Sequence, residues 1–155
     1  MNIVTKTCDK SHPDEDRELH TLRGLQALVV DDDIDSLDLI AFILDEYGVQ
    51  VMKAKSASQA LNLIRQIKLD LLISDIAMPG EDGYELIRQV RTLSCTQKKQ
   101  IPAIALTACI IEEGRVLAFE SGFQFYLTKP VEPDELIAVV AKLVGSFPAK
   151  QDTCR

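Results

Sequence analysis

The chain has no tryptophan and only two histidines, His12 and His20, both in the polar stretch that opens it. A histidine-based active site or a His-rich metal cage is therefore not expected. Cysteine is scarce as well. Cys8, Cys95, Cys109 and Cys154 form no C-x-x-C pair, and two of them lie near the termini. That spacing resembles neither a disulfide framework nor a zinc site. No apolar run approaches the roughly 20 residues of a membrane span. The opening MNIVTKTCDKSHPDED lacks the apolar core of a secretory signal. Together these absences point to a reducing, cytoplasmic setting. Positive charge is also in deficit. The net charge of −7 argues against a nucleic-acid surface, which is normally basic.

What is present fits one globular domain. The chain has 155 residues, 46% of them hydrophobic, enough to bury a core. Residues 1–23 are polar and without sustained periodicity, and read as an N-terminal arm or linker. The domain itself is expected over 24–146, with a short C-terminal tail over 147–155.

Within the domain, short apolar runs alternate with amphipathic segments five times. The runs are LQALVV (25–30), VQVMKA (49–54), DLLIS (70–74), PAIAL (102–106) and FQFYL (123–127). Runs this apolar suit strands buried on both faces. Between them, Leu37, Ile40, Ala41 and Leu44 recur at helical spacing. Ala57, Ala60, Leu61 and Ile64 repeat the pattern, as do Leu136, Val139, Val140 and Leu143. Ser56 with Gln59 matches a capping box, and Pro133 suits the first turn of the last helix. The fourth helix, about 112–120, has Val116 and Phe119 as its main apolar residues. Strands alternating with helices imply a doubly wound α/β fold: five parallel strands joined by right-handed crossovers, with helices on both faces. Such sheets bind ligands at the carboxyl ends of their strands.

Four of those ends carry chemistry. Asp31, Asp32 and Asp33 follow the first strand and Asp75 follows the third. Thr107 and Ala108 follow the fourth, and Lys129 and Pro130 follow the fifth. A lone Asp at a strand end most often caps a helix or shapes a turn, and a lone Lys is usually solvated. Falling together, the groups form a different set. Clustered carboxylates repel unless a cation neutralises them, and an all-oxygen set suits Mg²⁺. A carboxylate can attack phosphorus to give an aspartyl phosphate. A metal and a lysine can neutralise the equatorial oxygens of the transferred group.

The segments VVDDD (29–33), LLISDIAMPGEDGYEL (71–86), AIALTA (103–108) and YLTKPV (126–131) resemble the response-regulator receiver domain of two-component signalling. The resemblance covers about residues 25–145 and implies a flavodoxin-like (βα)5 sheet of strand order 2-1-3-4-5. It implies that Asp75 is the phosphoacceptor, phosphorylated by a histidine kinase or a histidine phosphotransfer protein. Mg²⁺, with Mn²⁺ as a substitute, would be held by Asp32, Asp75 and the backbone carbonyl of Ala77, and by Asp31 through water. Asp33 matches no required position and is expected to be exposed. Lys129 would contact the phosphoryl oxygens and precede Pro130 through a cis bond. Thr107 would bond the phosphoryl group and move with Tyr126 as a switch. Pro79 and Gly80 would shape the Asp75 loop, and Gly83 the turn before the third helix. The chain would not be an enzyme beyond its own phosphorylation and dephosphorylation. Its output would be a protein-binding face of the fourth helix, fifth strand and fifth helix, including Phe119, Phe123, Phe125 and Tyr126, some of them core. Ala77 and Cys109 offer little to orient an attacking water, so a slow loss of the phosphoryl group is expected. LRGL (22–25) and GEDGYELIRQVR (80–91) are similar to receivers attached to hybrid histidine kinases.

Three other readings compete. A haloacid-dehalogenase-type phosphatase would use Asp31-x-Asp33 or Asp33-x-Asp35, but leaves Asp75 and its Met-Pro-Gly loop without a role. A flavodoxin-like FMN binder would not place aspartates beside the phosphate. A pseudo-receiver would act without phosphorylation, although every required residue is present.

Overall fold

The computed structural model describes residues 22–78, 80–108 and 112–145. Five strands, β1 (Gln26–Val30), β2 (Gln50–Ala54), β3 (Leu71–Asp75), β4 (Ala103–Thr107) and β5 (Phe125–Thr128), form one sheet. Their order is β2-β1-β3-β4-β5, and every pairing is parallel. The helices are α1 (Ile34–Asp45), α2 (Ala57–Gln66), α3 (Gly83–Arg91), α4 (Glu112–Ser121) and α5 (Pro133–Gly145). This is the doubly wound, flavodoxin-like arrangement expected. A two-residue antiparallel ladder (Ala77–Met78 with Glu81–Asp82) and a helical turn (Thr96–Lys99) add to it.

The strands begin one or two residues later than their apolar runs. Val49, for example, is buried but donates its N–H to Leu44 in the closing turn of α1 rather than to the sheet. As a result Asp75 and Thr107 are the last residues of β3 and β4, not the first beyond them.

Alternate strand residues feed two cores. Ala27, Val29, Leu71, Ile73, Ile104 and Leu106 pack with α1 and α5. Leu28, Val30, Leu72, Ala103 and Ala105 pack with α2, α3 and Ala118 of α4. Side-chain caps fix where the helices start. The Ser56 hydroxyl accepts from the Gln59 N–H, and the Gln59 amide oxygen reaches back to the Lys55 N–H. Asp82 caps α3 by accepting from Glu85.

Val116 and Phe119, the main apolar residues of α4, are both exposed, and the helix seats on Ala118 and Ser121. One expectation changes. Cys95 is disulfide-bonded, where no disulfide was expected. The other three cysteines lie outside the described residues, as do Pro79 and nearly all of the N-terminal arm. Among the described residues, no helix is long and apolar enough to cross a membrane.

Candidate functional site

β1, β3, β4 and β5 end side by side, so parallel pairing alone brings their last residues to one rim. Thr107 lies opposite Thr128 in register, and Asp75 lies opposite Leu106. The Lys129 N–H donates to the Thr107 carbonyl over 2.8 Å, tying the β5 loop to β4. The Lys129–Pro130 peptide is cis.

Three carboxylates converge at this rim. Asp31, Asp32 and Asp75 each offer an oxygen within 4.8 Å of the others. Asp31 is fully buried and Asp75 nearly so, whereas Asp32 is exposed. The Lys129 ammonium lies between the two buried acids, 2.8 Å from Asp31 and 3.4 Å from Asp75. Asp31 also accepts the Asp33 N–H at 2.9 Å. Asp33 itself is exposed and caps α1, accepting from the Asp35 N–H and the Ser36 hydroxyl. That use removes Asp33 from the acidic cluster and weakens the phosphatase reading.

The electrostatics of the cluster are unbalanced. Burial, and then the charge of Asp31, push the Asp75 carboxyl up to about 6, against the opposing pull of Lys129 and the Ala77 N–H. Burial pulls the Lys129 ammonium down, but its hydrogen bond to Asp31 and the charges of Asp75 and Asp31 outweigh this and raise it. One lysine therefore serves two buried acids, and a third acid stands beside them. A divalent cation would relieve that repulsion, and the oxygen-only donor set fits a hard ion such as Mg²⁺.

The loop after Asp75 is shaped by glycine. Gly80 has φ +77°, which a side chain rarely adopts. A Cβ on Gly83 would lie 2.4 Å from the Asp75 carbonyl oxygen, so only glycine lets α3 start against the strand end. Ala77 is exposed beside the rim. Thr107 is buried at the end of β4, and Tyr126 is half-buried against the α2–α3 core. Of the aromatics expected on the output face, Phe123 is core, whereas Phe119 is exposed beneath the Arg115 guanidinium, 5.7 Å from its ring centroid. Cys109 lies outside the described residues. Sequence reasoning gave no role to Ser74, the buried residue preceding Asp75.

The sequence matches the family model of the response regulator receiver domain over residues 27–141. It is 48% identical over 130 residues to an uncharacterised 14.6 kDa protein in the sodA1 3′ region of Leptolyngbya boryana, covering 84% of this chain and 98% of that one. It is 35% identical over 111 residues to the phosphate regulon transcriptional regulatory protein PhoB of Escherichia coli, covering 72% of this chain. There it spans about half of the relative, 48% of its length. Among solved structures, the receiver domain of the sensor histidine kinase PA1611 of Pseudomonas aeruginosa superposes with a TM-score of 0.72 at 27% identity. That match covers 79% of this chain and 98% of the other, whose active-site cleft coordinates a magnesium ion.

Proposed function

This chain belongs to the response regulator receiver domain family, and from that membership we propose that residues 24–146 accept a phosphoryl group on Asp75. The supporting observation is the convergence of Asp31, Asp32 and Asp75 with Lys129 at the strand ends. In the proposed step an Asp75 carboxylate oxygen bonds to phosphorus. The bond from phosphorus to the donor breaks, and its electron pair leaves with the donor, a phosphohistidine or acetyl phosphate. Bound Mg²⁺ would neutralise charge on the phosphoryl oxygens and on the acids that crowd Asp75. Asp31, Asp32, Asp75 and the Ala77 carbonyl are the groups to hold it, with Mn²⁺ as a substitute. Lys129 balances the phosphoryl charge from the β5 side, and Thr107 offers its hydroxyl from β4. Tyr126 would follow Thr107, shifting the population of two surface arrangements. The chain catalyses nothing beyond making and losing its own phosphoryl group.

The test is intact mass after incubation with acetyl phosphate. The native chain is expected to gain one phosphoryl group with Mg²⁺ and none with EDTA. Failure to gain it with Mg²⁺ would favour a pseudo-receiver.

The exposed large apolar residues fall into two sets, and each suggests a partner. Ile34, Leu39 and Phe42 lie along α1, which starts at the acidic rim. A phosphodonor protein must reach Asp75, so this stripe is proposed to receive the histidine kinase or phosphotransfer protein. Val116, Leu117 and Phe119 on α4 belong to the proposed output face. Phe42→Asp is expected to slow transfer from a histidine kinase about tenfold, the scale of a lost interface anchor. Labelling by acetyl phosphate should not change. Equal slowing with both donors would remove α1 from the docking role.

Ala77 has no polar side chain to orient a water against the aspartyl phosphate. Ala77→Asn is expected to shorten the phosphorylated half-life about tenfold by positioning that water. The readout is decay of the phosphorylated mass after donor removal, and an unchanged decay would refute the idea. A cytoplasmic location belongs to this proposal because histidine kinases draw on ATP. The Cys95 disulfide lends it no support.

A further inference from the structure

Ser74 is fully buried, yet nothing in the site just described uses it. Its register neighbours are Val30 on β1 and Ala105 on β4, both members of the apolar core on the α2–α3 side. An alanine would pack there without a polar group, and a buried hydroxyl left unpaired would be destabilising. The hydroxyl is paired, and its partner is the backbone of the proposed acceptor: Ser74 Oγ donates to the Asp75 carbonyl over 2.9 Å.

That carbonyl is closely seated. Gly83 lies against it, so close that a Cβ would come within 2.4 Å of the oxygen and 3.0 Å of the Ile76 Cα. The Gly83 N–H donates to the Ile76 carbonyl at 2.8 Å, and the Ile76 N–H donates to the Leu106 carbonyl at 2.9 Å. The two peptides after Asp75 are thus held at three successive polar groups. Their orientation sets where the Asp75 side chain leaves the strand. It also sets where Ala77 presents the N–H that reaches the Asp75 carboxylate.

We propose that Ser74 is a positioning residue for phosphoryl transfer: its hydroxyl, together with the close approach of Gly83, fixes the peptide that aims the Asp75 carboxylate. The assignment rests on Asp75 being the acceptor. Ser74 touches no reacting atom. It acts by narrowing the directions in which the carboxylate can point, and a misplacement of about 1 Å can cost about a hundredfold in rate.

The experiment follows phosphorylation of the full chain by acetyl phosphate with Mg²⁺, using intact-mass time courses over a range of donor concentrations. Native protein is compared with Ser74→Ala, Ser74→Cys and Ser74→Thr. Cysteine keeps the shape but is a weak donor, and threonine keeps the hydroxyl. The maximal rate is expected to fall about tenfold for the alanine and cysteine variants, with the half-saturating donor concentration and Mg²⁺ affinity within about twofold of native. The threonine variant should recover most of the native rate. Native rates in both the alanine and cysteine variants overturn the assignment. So does a loss confined to donor or metal affinity, or a threonine variant as slow as the other two. Should the alanine variant not fold, the cysteine variant, which keeps a group at the γ position, decides. A native chain that takes up no phosphoryl group overturns the acceptor reading and this proposal together, whereas unaffected variants of a chain that labels normally overturn this proposal alone.

Discussion

Asp75→Asn is expected to take up no phosphoryl group from acetyl phosphate and Mg²⁺, where the native chain takes up one. Asparagine matches aspartate in shape, so the loop and the contacts of Gly83 need not change. It removes the nucleophile, because a neutral amide does not attack phosphorus as a carboxylate does. It also removes one of the three acids gathered within 4.8 Å. Stability should move the other way. The folded Asp75 carboxyl is raised from 3.8 to about 6, so the folded state holds its proton more tightly than the unfolded chain. The stability this contributes is present when the group is protonated and is lost as pH rises through about 6. At neutral pH without a cation, ionised Asp75 therefore weakens the native fold. The asparagine variant should melt at or above the native temperature in EDTA, and Mg²⁺ should stabilise the native chain more than the variant. A variant that neither labels nor melts cooperatively would show that unfolding caused the loss. A variant that still labels would move the acceptor to the Asp31–Asp33 cluster.

Much of this rim is legible in sequence because parallel βα units put every strand end on one side of the sheet. Asp31, Asp32, Asp75, Thr107 and Lys129 needed only the positions of five apolar runs, and errors of one or two residues in those runs do no harm. The placement of the charges was not legible. Lys129 sits closer to Asp31 than to Asp75, a distinction that depends on loop geometry rather than residue type. Asp33, by contrast, was expected to be exposed and outside the required set, and the first turn of α1 is what engages it. The seat of α4 was not legible, because its main apolar residues do not mark its buried face. Among its described side chains the buried ones are small, Ala118 and Ser121, while Val116 and Phe119 stay outside. Ser74 carried no signal at all: a serine in an apolar run reads as a tolerated substitution until its carbonyl partner is seen.

Arg91→Ala is expected to cost about 3 kcal/mol of stability, the scale for removing a charged donor from several acceptors at once. For a domain of this size that is a fall of roughly 10 °C in Tm, measurable by calorimetry. Arg91 ends α3, at the edge of the sheet opposite the acidic rim. Its guanidinium donates to the Gly122 carbonyl through Nε and Nη2, to the Lys99 and Ile101 carbonyls through Nη1, and to the Gln124 side-chain oxygen through Nη2. A guanidinium has five N–H groups, and all five are engaged. Burial lowers its pKa to about 10 without discharging it. The acceptors come from the loops entering β4 and β5, the strands that end in Thr107 and Thr128. Arg91 thus fastens the far ends of two site-bearing strands to α3, whose other end rests on Asp75 through Gly83. Arg91→Lys keeps the charge but concentrates it on one nitrogen with three donors, too few for acceptors this dispersed. It should recover well under half of the loss. If lysine restores full stability, charge alone is what the edge requires. If it does not, the planar fork holds the two loops, and the alanine variant should still label on Asp75 at temperatures where it stays folded.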